Sequence, residues 1–190
     1  MTKENSTPSF QLGATVVYPN HGVGVITAIE EQEVAGFKLK LIAITFEKDR
    51  LTVRIPLAKA KSSGLRHLSD PTVVEEALGI LTTKAKGKKG MWNRRANDFQ
   101  ERMVTGQLTS MAEVLRDLNR GAGQLDASYS EQQIFETAMD FMTREIAAAS
   151  QVTPTEARTL IEQHLAKAPQ LNKSTAQPDG SEGPDDEAAA

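Results

Sequence analysis

The sequence predicts an α+β protein with a small N-terminal β-domain, a C-terminal all-helical domain and a disordered acidic tail. Three observations lead to this fold class. Apolar and β-branched residues recur at period two before residue 68, the period becomes helical from Asp70 onward, and residues 171–190 are poor in large apolar groups. With 190 residues, 39% of them hydrophobic, the chain suffices for one ordinary domain or two small ones.

The β-domain is predicted from short strands that are separated by turn signals. Thr15 to Tyr18 is β-branched and aromatic, and Gly22 to Ile29 carries β-branched residues at alternate positions. Leu39 to Phe46 is a nearly continuous apolar run typical of a central strand, and Leu51 to Ile55 follows a polar turn. A fifth strand is expected within Leu65 to Leu68. So small a unit indicates a strongly bent sheet or a small barrel.

Five helices are predicted after the strands. Asp70 is expected to cap the first, which begins at Pro71, and the second carries an apolar stripe from Trp92 to Met103 and ends at Gly106. The other three are expected to begin at capping boxes made by Ser110 with Glu113, Ser130 with Gln133, and Thr153 with Glu156. Gly121 is expected to stop the third helix, and the fourth to run through Ala149.

The charge balance separates a tail from the rest of the chain. The formal net charge is -3, but residues 171–190 hold one basic residue and five acidic ones. We therefore expect a flexible N-terminus at residues 1–9, a β-domain at residues 10–68, a helical domain at residues 69–168 and a disordered acidic tail at residues 169–190.

Several classes of function are disfavoured by what the sequence lacks. There is no cysteine, and the three histidines lie far apart, so a zinc site is improbable. Neither a phosphate-binding glycine loop nor a metalloprotease or serine hydrolase motif occurs. Apolar runs are too short to span a membrane. We expect a cytoplasmic, monomeric protein that is not an enzyme and has no cofactor, metal or membrane partner.

The strongest chemical signal is the basic segment, residues 84–95, with the sequence KAKGKKGMWNRR. It contains six basic residues and no acid: Lys84, Lys86, Lys88, Lys89, Arg94 and Arg95. Flexible lysines can follow a phosphate backbone, and arginines in the first turn of a helix offer directed donors to phosphate or a groove. The alternative interpretation of the lysines is a solvated linker.

Trp92, the one tryptophan of the chain, lies inside this segment and has two interpretations. It begins the apolar stripe of the second predicted helix, which is typical of a core residue. A large aromatic side chain between lysines and arginines is also typical of an apolar wedge placed against unstacked bases. The residues alone leave both interpretations open.

Three motifs resemble the CarD family of bacterial transcription regulators, also called CdnL. They are LGATVVYPNHGVGVITAIE, the later LTVRIP, and MWNRR followed by AEVLRDLNR, and the resemblance runs from about Phe10 to about Leu165. It implies a Tudor-like N-terminal module that binds the RNA polymerase β subunit and a helical module that touches promoter DNA. It also implies that Trp92 wedges into the minor groove at the upstream edge of the −10 region and stabilises the open promoter complex.

The resemblance assigns roles to individual residues. Arg54 in LTVRIP matches a family position that contacts polymerase, and its alternation with Val53 and Ile55 predicts that it faces away from the core. Thr52 and Pro56 of the same motif belong to this predicted polymerase site. Gln32 is a departure, because some relatives carry a second contacting arginine at its position. Arg94 and Arg95 match basic positions that face DNA. For the lysines and the acidic tail the resemblance implies nothing, and their roles rest on charge.

Two alternatives remain from the sequence. The same N-terminal module occurs in the transcription-repair coupling factor, but that protein carries helicase motifs that this sequence lacks. The other alternative is a protein-binding scaffold, in which the β-domain holds a partner and the helices make no contact with DNA. We also expect residues 10–68 to pair with a sheet edge of the polymerase β subunit.

Overall fold

The computed structural model describes residues 10–19, 21–34, 37–86, 91–119 and 128–169. Its strands are β1 (Thr15–Tyr18), β2 (Gly22–Val34), β3 (Phe37–Phe46), β4 (Leu51–Pro56) and β5 (Arg66–His67), with a short 3-10 helix at Leu57–Lys59. Its helices are α1 (Pro71–Leu81), α2 (Trp92–Val104), α3 (Leu108–Leu118), α4 (Tyr129–Ser150) and α5 (Pro154–Ala166). The predicted class, a small β-domain followed by a helical domain, is confirmed. The predicted N-terminal segment, residues 1–9, and the predicted acidic tail, residues 169–190, lie outside the described residues, apart from Pro169.

The strands form one antiparallel sheet in the order β4, β3, β2, β1, β5. A register shift between Ile26 and Ala28 marks an irregularity in β2 that is typical of a bulge, the device that bends small sheets. One face of the sheet is buried, around Val16, Ile44, Phe46 and Ile55. Within the described ranges β4 has a strand neighbour on one side only, and its other edge, here called the open edge, pairs with no described strand.

β2 extends five residues beyond the predicted end at Ile29. The added residues are mainly acidic and lie opposite β3, where Glu31 faces Lys40 with 3.4 Å between the carboxylate and the ammonium. Opposite charges across a strand pair favour pairing without any burial. The extension has no period-two apolar signal, and sequence analysis therefore missed it.

The helices enclose a separate core. The predicted stripe of α2 is confirmed, because Phe99 is buried in this core, and Trp92, Ala96 and Met103 pack against it. α3 contributes most completely, with Met111, Val114, Leu115 and Leu118 all buried. Among the described helices, none combines the length and the apolar character needed to cross a membrane.

The predicted helix starts were correct for α5 and displaced for α4. Thr153 and Glu156 form the expected capping box, with each side chain bound to the other residue's backbone N–H. α4 instead uses Ser128 with Glu131, two residues before the predicted Ser130. Both pairs satisfy the sequence pattern. The pair with a carboxylate is favoured, since an ionised acceptor bonds a backbone N–H more strongly than an amide does.

The prediction for the start of α3 was wrong. α3 begins at Leu108, so Ser110 lies inside the helix and caps nothing. The reason is tertiary: Leu108 is buried in the core, and Gly106, at a φ of 65°, turns the chain directly from α2 into α3. α3 ends at Leu118, before Gly121, which lies outside the described residues. Asp70 precedes α1 as expected, but its side chain makes no capping hydrogen bond.

A buried ion pair joins the β-domain to the helices. Arg66 on β5 contacts both carboxylate oxygens of Glu145 on α4, at 2.6 and 2.8 Å. Its Nε also donates to the carbonyl of Gly106, at 3.1 Å, and the Ser69 hydroxyl donates to Glu145 at 2.6 Å. Glu145 is 5% exposed. We call this cluster the junction, and it ties the sheet to α4 and to the turn between α2 and α3.

Candidate functional site

Arg54 lies on the open edge strand and points away from the sheet core, as expected. Its neighbours Val53 and Ile55 pack into that core, whereas its own side chain is 53% exposed. Its Nε lies 3.6 Å from a carboxylate oxygen of Glu30 on β2. Such an exposed pair contributes little to stability, so the guanidinium can exchange this acid for one on a partner.

Glu30 also connects Arg54 with the position that departs from the family pattern. The Gln32 amide donates to the same carboxylate oxygen of Glu30, at 3.5 Å. Gln32, two residues further along β2, and Arg54, on β4, thus both approach one oxygen of Glu30. Glu30 was missed by sequence analysis, because the strand was expected to end one residue earlier.

Thr52 begins a row of hydroxyl groups across the same face of the sheet. Its Oγ1 lies 3.1 Å from that of Thr45, which lies 3.1 Å from that of Thr27. Pro56, the third residue of the predicted polymerase site, is half-buried. The three predicted contacts, Thr52, Arg54 and Pro56, thus alternate along one strand and share one face.

The lysines in the described part of the basic segment are exposed to solvent. Lys84 and Lys86 are exposed, and the ammonium of Lys86 lies 4.0 Å from Glu113. Lys88 and Lys89 lie outside the described residues. The Lys86 backbone N–H donates to the carboxylate of Asp117 on α3, at 2.9 Å, which attaches the segment to the helical core.

Trp92 is half-buried at the first position of α2. Its ring centroid lies 6.4 Å from that of Phe99, a core residue. Trp92 is therefore in contact with the core and is also partly exposed to solvent. This arrangement agrees with both interpretations of the sequence: Trp92 belongs to the apolar stripe, and the residue is not fully buried.

Arg94 and Arg95 are held differently. Arg94 is exposed, whereas Arg95 is half-buried with its guanidinium carbon 5.7 Å from the ring centroid of Trp92 and 5.9 Å from that of Phe99. Cation–π contacts of this kind favour one placement of the ring. Arg94 is therefore the more available donor for phosphate, and Arg95 supports Trp92.

Met91 is a surface residue that sequence analysis did not single out. It directly precedes Trp92 and is 81% exposed, the highest value among the exposed large hydrophobic residues that the structure describes. An exposed thioether next to a partly exposed tryptophan gives the start of α2 an apolar tip. Val104, at the opposite end of α2, is also exposed, at 56%.

A charged network behind Trp92 was also missed. Arg102 on α2 donates to Asp98 and, at 3.1 Å, to Asp117, and its guanidinium lies 5.0 Å from the ring centroid of Phe99. Burial disfavours the charged form of Arg102, but the hydrogen bonds and attraction from Asp98 and Asp117 outweigh it and raise its pKa. The network keeps Arg102 charged beside the aromatic rings.

The described residues contain no group of three or more histidine, aspartate or glutamate side chains placed to hold a metal ion. The expectations that the chain has no enzymatic activity and no cofactor stay predictions.

Comparison with known proteins matches both parts of the chain to one family. The model of the CarD-like/TRCF RID domain matches residues 10–69, and the model of the CarD C-terminal domain matches residues 76–162. The candidate transcription factor YdeB of Bacillus subtilis (strain 168) is 31% identical over 144 residues, which cover 76% of this chain and 94% of that protein.

A solved structure is also similar to this chain. The solution NMR structure of the 72-residue N-terminal domain of Myxococcus xanthus CarD is 39% identical, covers 31% of this chain and 79% of that one, and has a TM-score of 0.28. The family models and the Bacillus relative carry the assignment, and together they confirm the resemblance and the Tudor-like type of the β-domain. The chain belongs to the CarD family of transcription factors.

Proposed function

We propose that this transcription factor binds the RNA polymerase β subunit and stabilises the open promoter complex by contacting DNA at the upstream edge of the transcription bubble. The β-domain, residues 10–68, supplies the polymerase contact, and the helical domain, residues 69–168, supplies the DNA contact. The observation that carries the proposal is the placement of Trp92, half-buried at the start of α2 between exposed Met91 and exposed Arg94.

The polymerase contact is proposed for the open edge of β4. An unpaired strand edge offers backbone donors and acceptors to a strand of the β subunit. Arg54, paired only weakly with Glu30, offers an exposed charge beside that edge. Thr52 and Pro56 on the same face complete the proposed contact.

The DNA contact is proposed for the basic segment. Trp92 places its accessible part against bases at the upstream edge of the −10 region, where stacking on an unpaired base contributes about 1 to 3 kcal/mol. Lys84, Lys86 and Arg94, which are exposed, neutralise phosphates and release counterions. Lys88, Lys89 and Arg95 complete the predicted set, Arg95 through its contact with the Trp92 ring.

The junction connects the two contacts. Because Arg66 and Glu145 tie the sheet to the helices, a protein docked on polymerase through β4 carries Trp92 to a defined place. A single copy of the chain suffices for this activity.

The experiment compares forked promoter DNA with and without RNA polymerase in a mobility-shift assay at physiological salt. We expect the protein to retard the polymerase–DNA complex further and to prolong its lifetime, and to shift DNA weakly or not at all when polymerase is absent. Polymerase binding without any effect on DNA lifetime would instead support the scaffold alternative, in which the helices do not touch DNA.

A further inference from the structure

We propose that Asp117 is a positioning residue that sets the placement of Trp92. It binds Lys86 and Arg102, the two ends of the stretch of chain that carries the tryptophan. Asp117 lies on α3 and is 8% exposed, so it does not itself reach DNA. The functional part of this inference rests on the proposed function, whereas its structural part can be measured on the protein alone.

The first end is the connection between α1 and α2. One carboxylate oxygen of Asp117 accepts the Lys86 backbone N–H at 2.9 Å. A bond to the backbone fixes the path of the chain whichever way the lysine side chain turns. Trp92 follows six residues later, at the first position of α2.

The second end is α2 itself. The other carboxylate oxygen of Asp117 accepts from Arg102 at 3.1 Å. Arg102 lies over the ring of Phe99, and Phe99 contacts the ring of Trp92. The helix and the aromatic pair are thereby attached to α3 through one carboxylate.

A carboxylate is required at this position because of the donors that surround it. Besides Lys86 and Arg102, the buried Arg116 donates through Nε to Asp117 at 2.9 Å. Two arginines and one backbone N–H are all donors, so an amide at position 117 would place a donor against one of them. Loss of the charge would also leave the buried guanidinium of Arg116 without the acid that it pairs with.

The first test replaces the carboxylate. In Asp117→Asn we expect the emission of Trp92 to shift and its quenching by acrylamide to increase, a specific readout because the chain has 1 tryptophan. The lifetime of the open complex should fall about two- to thirtyfold, the range expected when a coupling network is disturbed away from the ligand. Ile161→Val, which trims the fully buried Ile161 on α5, controls for lower stability alone.

A second pair of variants avoids the buried charges. Lys86→Pro removes both the lysine charge and the N–H that Asp117 accepts, whereas Lys86→Ala removes only the charge. We expect greater quenching of Trp92 and a shorter open-complex lifetime for Lys86→Pro than for Lys86→Ala. This pair decides the question if Asp117→Asn does not fold.

The proposal fails if Lys86→Pro and Lys86→Ala show equal quenching and equal lifetimes. It also fails if Asp117→Asn or Lys86→Pro makes Trp92 more accessible but leaves the open-complex lifetime unchanged, while Trp92→Ala shortens that lifetime. If Trp92→Ala itself keeps the wild-type lifetime, the proposed function fails, whereas unequal quenching of the Lys86 pair still supports Asp117 as the residue that places Trp92.

Discussion

The two surfaces proposed to contact partners differ in how their charged residues are held. At the sheet edge, Arg54 is 53% exposed and has Glu30 as its ion-pair partner at 3.6 Å. On α2, Arg95 in the first turn lies over two aromatic rings, and Arg102 in the last turn joins a network that contains the buried Asp117. The Arg54 side chain at the edge points away from the sheet core, whereas Arg95 and Arg102 contact the core of the helical domain.

This difference predicts how the two surfaces respond to substitution. Changes at the edge should alter partner binding with little effect on folding, because exposed side chains contribute little to stability. Changes at Trp92, Arg95 and Arg102 should affect stability and function together, since all three side chains also contact the core residue Phe99. The junction lies between the two surfaces and should be the most sensitive of all.

The largest effect is expected at the junction. Glu145→Gln should lower the free energy of unfolding by about 3 to 5 kcal/mol, because it leaves the half-buried Arg66 without its counterion. Urea unfolding measures the change. The matched control is Glu136→Gln on the same helix, where the acid is 59% exposed and pairs with Arg158 of α5, and the expected cost is under about 1 kcal/mol. Equal costs for the two variants would contradict the structural role given to the junction.

A smaller effect is expected at the sheet edge. Arg54→Glu should weaken polymerase binding by about 1 to 3 kcal/mol, because the new acid repels whatever acid the arginine meets on the partner. The melting temperature should stay close to that of the wild type. Co-purification with polymerase and a titration of the complex provide the measurement. Unchanged binding would show that Arg54 lies outside the contact.

The smallest effect is expected from the acidic tail. Removing residues 171–190 deletes five acidic residues and one basic residue, and so relieves competition with DNA for the lysines of the basic segment. DNA binding should become slightly tighter at low salt, with no difference at high salt and no change in melting temperature. Equal DNA affinity at every ionic strength would mean that the tail does not compete.

Local patterns predicted much of the fold, and long-range contacts explain what they missed. Thr153 with Glu156 was a correct capping prediction, and so was the outward direction of Arg54, because both depend on neighbours within a few residues. Glu145 had no such signal, since its partner Arg66 is 79 residues away. Asp117 was hidden in the same way, because its bond to Lys86 spans 31 residues.

Trp92 shows why the site was only partly predictable. Its apolar stripe and its basic surroundings are both visible in the sequence, and each predicts a different role. Only the packing of α2 against the core determines that Trp92 lies next to Phe99 and is still partly exposed. The proposed role therefore rests on a tertiary arrangement that no local pattern encodes.

The most direct test of the central claim is the decay of open promoter complexes formed with Trp92→Ala, measured after a competitor challenge. We expect a folded protein that is less stable by about 1 to 2 kcal/mol, because the tryptophan is only half-buried, and that binds polymerase normally. The open-complex lifetime should be shorter by about five- to a hundredfold, which corresponds to the loss of one stacked base. A large loss of stability with normal decay of the complex would contradict the account and make Trp92 a core residue only.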